Sequence, residues 1–237
     1  MLFKFVKPST VIDIFTDHER AYNNYRIDRY KNFIPSWWKK TNRSYVQPKE
    51  IDPGLTLKTC LGVINIFQIG FILPLWSDLI IQQKFLERGY SLEWKFADNI
   101  SKGHSHPPQQ WENFLDPGQY FHFKIDSPWF IRTNKKIKWH FNSPYWNLNP
   151  FRINIVQGVL DFHDTHEVNI NMFFNHEKNP IFIEQNTPLL HLIPLTDKKL
   201  KLQHHLVDTK ELSKLGTSKK ASFIGDHILK QKKCPYK

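Results

Sequence analysis

The chain has 237 residues, 40% of them hydrophobic and 15% aromatic, enough for one sizeable apolar core and too many for a wholly disordered chain. The net charge is +11, and residues 197–237, with 11 Lys, no Arg and 4 acidic residues, carry +7 of it. The two cysteines, Cys60 and Cys234, supply neither a disulfide framework nor a zinc-ligand spacing, which fits a reducing compartment.

At the start, Lys4, Lys7 and Pro8 interrupt the apolar residues, which argues against a secretory signal. Residues 17–58 read as an irregular polar arm. In its middle, Pro35 is followed by Trp37 and Trp38, beside Lys39 and Lys40. Packing of the indoles into the body is the plainer reading, and a stacking platform for bases is the functional rival. The apolar run 60–76 holds Asn65, Gln68, Gly70 and Pro74, so it is too short and interrupted for a membrane span. Leu61–Ile69 reads as a short helix stopped at Gly70.

From residue 90 onward, period two dominates. Tyr90, Leu92, Trp94 and Phe96 alternate with polar residues, as do Ile137, Trp139 and Phe141, and then Val168, Ile170, Met172 and Phe174. Shorter copies occupy Tyr120–Lys124, Phe151–Ile155, Ile181–Ile183 and Leu200–Leu202. Such alternation puts one row of side chains on a core and the other toward water. Turn residues separate the runs at 87–89, 116–118, 134–135 and 175–180. Residues 104–107, where two histidines run into Pro107, read as a loop. Lys210–Leu215 and Ser222–Lys232 read as helical. The expected fold is mainly β, an antiparallel sandwich or small barrel with few short helices, spanning 1–196, followed by a basic, partly helical tail over 197–237.

The densest polar cluster is Asp161, His163, Asp164, His166 and Glu167. Zinc or iron needs imidazole and carboxylate donors converging from one side. On a strand, Asp161 would share a face with His163, and Asp164 with His166, but adjacent His163 and Asp164 would point apart. The plainer reading is a polar turn between a strand opening at Gly158 and one restarting at Val168. His104 and His106 form a second two-histidine fragment, with no third ligand indicated by spacing. His140 and His191 sit in apolar strands and read as hydrogen-bonded core histidines, and His204–His205 as one packed and one solvated ring. No P-loop, dinucleotide glycine fingerprint, nucleophile-elbow serine or CxxC is present.

Several blocks carry a resemblance: IPSWWKK, TCLGVINIFQIGFILPLWSDL, FKIDSPWFIRTNKKIKWHF, VLDFHDTHEVNINMFF and FIEQNTPLLHLIPLTDKKLK. Their order resembles an uncharacterised family encoded by tailed phages of marine bacteria. That resemblance implies action in the host cytoplasm, with virion association as a further option, and brings no activity with it. Residues 119–195 are also similar in layout to the β-clip core of the dUTPase and dCTP deaminase group. There Asp161 would take the acidic position and Thr187–Ile193 the last strand. The Arg-Ser-Ser phosphate segment and the glycine-rich arm are absent, which sets nucleotide hydrolysis aside.

Three expectations follow. The leading one is a non-catalytic binding or assembly module, self-associating or holding a protein partner. A metal-dependent enzyme would use His104, His106, His163, Asp164 or His166 with iron or zinc. A nucleotide-binding β-clip would use Asp161 with Trp129 and Arg132. Nucleic acid is a possible partner of the lysine-rich tail.

Overall fold

The computed structural model describes residues 10–46, 54–86, 89–148, 152–164 and 166–215. The chain is mainly β. In order come β1 (Thr10–Thr16), helix α1 (Glu19–Asn24), β2 (Asp28–Arg29), a 3-10 turn (Tyr30–Phe33), α2 (Ser36–Lys40), β3 (Ser44–Tyr45), β4 (Gly54–Leu55) and α3 (Leu61–Ile66). Then follow β5 (Phe71–Pro74), β6 (Leu79–Leu86), β7 (Gly89–Phe96), β8 (Lys102–His106), β9 (Tyr120–Arg132), β10 (Lys138–Asn142) and β11 (Ile153–Ile155). The last strands are β12 (Gly158–Asp161), β13 (Glu167–Asn175), β14 (Ile181–Ile183), β15 (Pro188–Pro194) and β16 (Leu200–Leu206), and residues 209–215 are helical.

The first sheet has the order β11-β13-β9-β1-β16, with β8 also on β9. The second has the order β12-β10-β15-β5-β2, the third β14-β6-β7, and β3 pairs β4. These sheets do not close into a barrel. Ile12, Phe123, Ile170 and Met172 of the first sheet join Leu73, Trp139, Leu190 and Leu192 of the second in one apolar core, and Leu79 and Ile81 of the third belong to it as well. A smaller cluster holds Tyr30, Trp38, Val63, Phe67 and Ile72.

Alternation is obeyed where it was read. In β13, Val168, Ile170, Met172 and Phe174 are all buried. In and just before β10, Ile137, Trp139 and Phe141 are buried. The run from Tyr90 to Phe96 is looser, because Phe96 is buried while Trp94 lies half-exposed against Phe123, with ring centroids 5.2 Å apart.

Three expectations need correction. Residues 102–106 are a strand, not a loop: β8 pairs antiparallel along β9 from Lys102 with Asp126 to His106 with His122, and Pro107 ends it. Proline, lacking an N–H, marks the end of an edge strand as readily as a loop. The β body also continues past residue 196. β16 runs parallel to β1 from Thr10 with Leu200 to Thr16 with Leu206, and Leu200 is buried in the main core. A parallel pair is natural between strands from opposite ends of the chain, which no hairpin joins. Finally, the 17–58 arm is not uniformly irregular, since it contributes α1, α2 and β2. The expected helix at 222–232, and Cys234, lie outside the described residues.

Strand β9 is 13 residues long and organises the first sheet. One edge holds β13. The other holds β8 along 122–126 and β1 along 130–132. Pro128 is accommodated at a register shift, where Asp126 pairs Asn169 and Phe130 pairs Glu167. A bulge is where a strand tolerates a residue without a donor.

Candidate functional site

The Asp161–Glu167 cluster is a turn tied to the end of β9. The Asp161 carboxylate accepts from the His163 backbone N–H at 2.9 Å, and the Asp161 carbonyl accepts from Asp164 N–H at 3.1 Å. Asn and Asp side chains favour such turns because they mimic a backbone acceptor. Each imidazole reaches a different carbonyl of the neighbouring segment. His163 Nδ1 donates to Thr133 at 3.3 Å, and His166 Nδ1 donates to Ile131 at 3.1 Å. Backbone bonds run beside them, from Ile131 N–H to His166 and from Thr133 N–H to Phe162. His166 is buried and Asp164 exposed, so the two do not face each other.

His104 and His106 do not converge on this turn. His104 donates to the Asp126 carboxylate at 2.7 Å, and Lys124 lies 3.1 Å from the same carboxylate. Burial pushes the Asp126 carboxyl up, but these two neighbours outweigh it and hold the group below its usual range. His106 Nδ1 contacts Gln110 at 2.7 Å, and its ring stacks on His122 at 4.6 Å. Among the described residues, no three His, Cys, Asp or Glu side chains group as a metal site would require.

Trp129, Arg132 and Asp161 each engage other partners. Trp129 is wholly buried, edge-on to His204 at 5.7 Å. Arg132 lies on the opposite face of β9, stacked over the Phe15 ring at 4.8 Å and 3.8 Å from Asp13. Asp161 belongs to the second sheet. Of the histidines in apolar strands, His191 is buried and donates to the Ile69 carbonyl at 3.0 Å. Burial lowers its pKa to about 4, so the ring is neutral at neutral pH. His205 donates to Asp13 at 3.0 Å and stacks on Phe15.

One constellation escaped the sequence reading because its members lie 80 positions apart. His18 Nε2 donates to Asp98 at 3.1 Å, and Ser101 Oγ donates to the same carboxylate at 2.6 Å. The residue types match a nucleophilic triad, but the wiring does not. Ser101 gives its proton to the acid rather than to the imidazole, and His18 Nδ1 already accepts from Ala21 N–H at the start of α1. Burial raises the Asp98 pKa, yet hydrogen bonds from Ser101, His18 and Ile100 bring it below normal. This is a buried brace between α1 and the turn after β7.

Among the described residues, three surface clefts bear on function. The first, of about 430 Å³, lies where edge strands β2 and β16 approach, and Arg26, Arg29 and Lys201 line it with Asp28. Arg29 donates to the Leu200 carbonyl at 2.7 Å and lies over Phe71, so its guanidinium is fixed. The second, also about 430 Å³, borders His18, Ser101 and Asp126.

The third, of about 440 Å³, sits beyond the end of β10. Its floor is Tyr30 and His191, both buried, with ring centroids 4.6 Å apart. Its wall is the segment 142–148, which is tied down at several points. Asn142 accepts from Ser143 N–H, Pro144 accepts from Asn147 and Leu148, and Asn147 links the Tyr30 hydroxyl to the Phe33 carbonyl. Trp37 donates from its indole to the Trp146 carbonyl at 3.0 Å. The aromatic pair at 37–38 therefore splits. Trp38 is buried against Phe67, while Trp37 stays exposed beside Trp146, whose ring in turn meets Tyr145.

No known family model matches the chain, and no curated protein matches it either. No helix among the described residues is long and apolar enough to cross a membrane.

Proposed function

We propose that this chain is a non-catalytic binding module, encoded by a tailed phage and working inside the host cell as part of an assembly. One observation carries the reading. His104, His163 and His166, with the Asp126 and Asp161 carboxylates, are committed to bonds that tie strands and turns together, whereas the side chains around the third cleft border open space on a braced loop. Rigid elements presenting exposed loops are a common plan for binding proteins. The phage assignment draws on the residue blocks quoted above, and a β-clip-like arrangement of 119–195 is part of the same reading. Its test is equilibrium binding to panels of saccharides, nucleotides and nucleic acids, with each ligand recovered afterwards. The reading expects saturable binding and intact ligand. Recovery of a converted ligand contradicts it.

A second reading has its own observation. The fixed Arg29, with Arg26 and Lys201, makes the β2–β16 groove suitable for phosphate-bearing ligands, nucleic acid included. It expects affinity that falls steeply with salt and is lost when Arg29 and Lys201 become Glu.

A further inference from the structure

We infer that the cleft beyond β10 is a binding site for a neutral saccharide, an inference that rests on the binding-module reading and specifies its ligand. Charge is the first argument. The protein carries +11 overall, yet none of the nine residues lining this cleft is Asp, Glu, Lys or Arg. His191, its only titratable ring of ordinary pKa near neutrality, is held neutral by burial. A site with no formal charge offers nothing to neutralise a phosphate or a carboxylate, so the ligand it suits is uncharged.

Chemistry is the second argument. The lining alternates aromatic faces with groups that both donate and accept. Trp146 and Tyr145 stand at the rim, and Asn142, Asn154 and Gln157 supply amides. Asn154 and Gln157 are exposed. The Ser143 hydroxyl is shielded and has no hydrogen-bond partner in the structure. Amides and hydroxyls pair with a ligand rich in hydroxyls, since each side can donate and accept. Aromatic faces are electron-rich and attract the polarised C–H edge of a pyranose ring. The row continues outward through Trp37, 5.9 Å from Trp146 between ring centroids, which gives a longer glycan a second contact.

Shape is the third argument. Tyr145 and Trp146 meet edge to face, at 79° between their planes. They form a corner and not a parallel slot, so a flat nucleobase cannot be sandwiched between them. A puckered ring with substituents above and below suits a corner. The volume, about 440 Å³, falls within the small-ligand range of ~300–1,000 Å³ and admits a mono- or disaccharide.

The experiment is an NMR titration of the full chain with glucose, galactose, N-acetylglucosamine and their disaccharides, read at the Trp146 indole N–H and the Asn154 and Gln157 amides. Adenosine and dATP are titrated in parallel. At millimolar concentrations a ~1 mM Kd gives clear saturation. The inference expects at least one saccharide to shift these signals saturably. It also expects Trp146→Ala to weaken binding tenfold or more and Asn154→Ala, at an exposed position, several-fold with an unchanged melting temperature. Gln157→Ala, at an exposed position, supplies the same readout if Trp146→Ala fails to fold. No saturable shift with any saccharide overturns the inference, as does adenosine binding there as tightly as a sugar. If no saccharide shifts these signals while dATP binds and the cleft variants leave that binding intact, the saccharide site falls and the binding-module reading stands. If a saccharide is converted during the titration, the binding-module reading itself falls.

Discussion

Acid should destabilise this protein well above the pH at which carboxylates protonate. Burial holds three histidines, His122, His191 and His204, at pKa values of about 4, against the ordinary 6.5; His106 adds to the effect on His122 and Arg26 to that on His204. The folded chain therefore refuses protons that the unfolded chain accepts. Wherever the unfolded state binds more protons, stability falls as pH falls, so the loss begins near pH 6.5 and is complete near pH 4. Between pH 7 and pH 5, each histidine costs about 2 kcal/mol by this linkage, and three together about 6 kcal/mol at most. That is comparable to the whole stability of many domains. Urea unfolding at half-unit steps from pH 7.5 to 4.5 reads the slope directly. His191→Gln keeps a donor for the Ile69 carbonyl and removes the titration, so it should reduce the slope by about a third. A stability that stays level from pH 7 to 5, or a slope untouched by His191→Gln, would refute the reasoning.

Other outcomes follow from the packing. A Cβ placed on Gly103 would lie 2.3 Å from the Phe123 ring, which is wholly buried, so Gly103→Ala should cost about 1–3 kcal/mol by thermal or urea unfolding. Phe123→Leu in the same chain should recover part of that cost, a coupling readable in a double-mutant cycle. His166→Ala leaves the Ile131 carbonyl without its imidazole donor at a buried position, and a loss of about 1–3 kcal/mol is expected. His104→Ala breaks a solvent-exposed pair with Asp126 and should cost less than about 1 kcal/mol. Equal losses at His104 and His166 would count against the structural assignment.

What the sequence revealed, and what it hid, has a physical pattern. Half-buried strands were legible because their two faces differ. β13 alternates from Glu167 to Met172 before reaching Phe173 and Phe174, both buried, and its start was read at Val168, one residue from Glu167. β5 was not, because all four of its residues are buried and a strand covered on both faces does not alternate. β8 was hidden for the opposite reason. Its sequence, KGHSH, has no apolar residue, and it exists because Gly103 lets it lie directly over Phe123. The alternation read over Tyr120–Lys124 captures only the first part of β9, because the strand bulges near Pro128 and continues to Arg132. Gly70, by contrast, was readable as a break, although α3 ends earlier, at Ile66. Its φ of +70° is one that glycine adopts without strain, and a Cβ there would collide with the Leu192 carbonyl.

The candidate sites divide in the same way. The polar turn at 161–167 was legible as a turn, because Asp and His at a strand end favour one. That His166 is buried against Ile131 was not legible, since it depends on where β9 ends. The cleft beyond β10 left no local signal at all. Its parts come from residues 30, 66, 142–146, 154, 157 and 191, far apart in the chain.

The account stands or falls on the claim that His163 and His166 serve as donors to backbone carbonyls. Long-range ¹H–¹⁵N correlation of the imidazoles tests this most directly, recorded with and without added zinc or iron(II). Both rings should carry their proton on Nδ1, where Thr133 and Ile131 accept it, and the metal should leave the signals in place. Nδ1 resonances displaced by a stoichiometric metal would mean that the turn is a ligand set, and the binding-module account would be wrong.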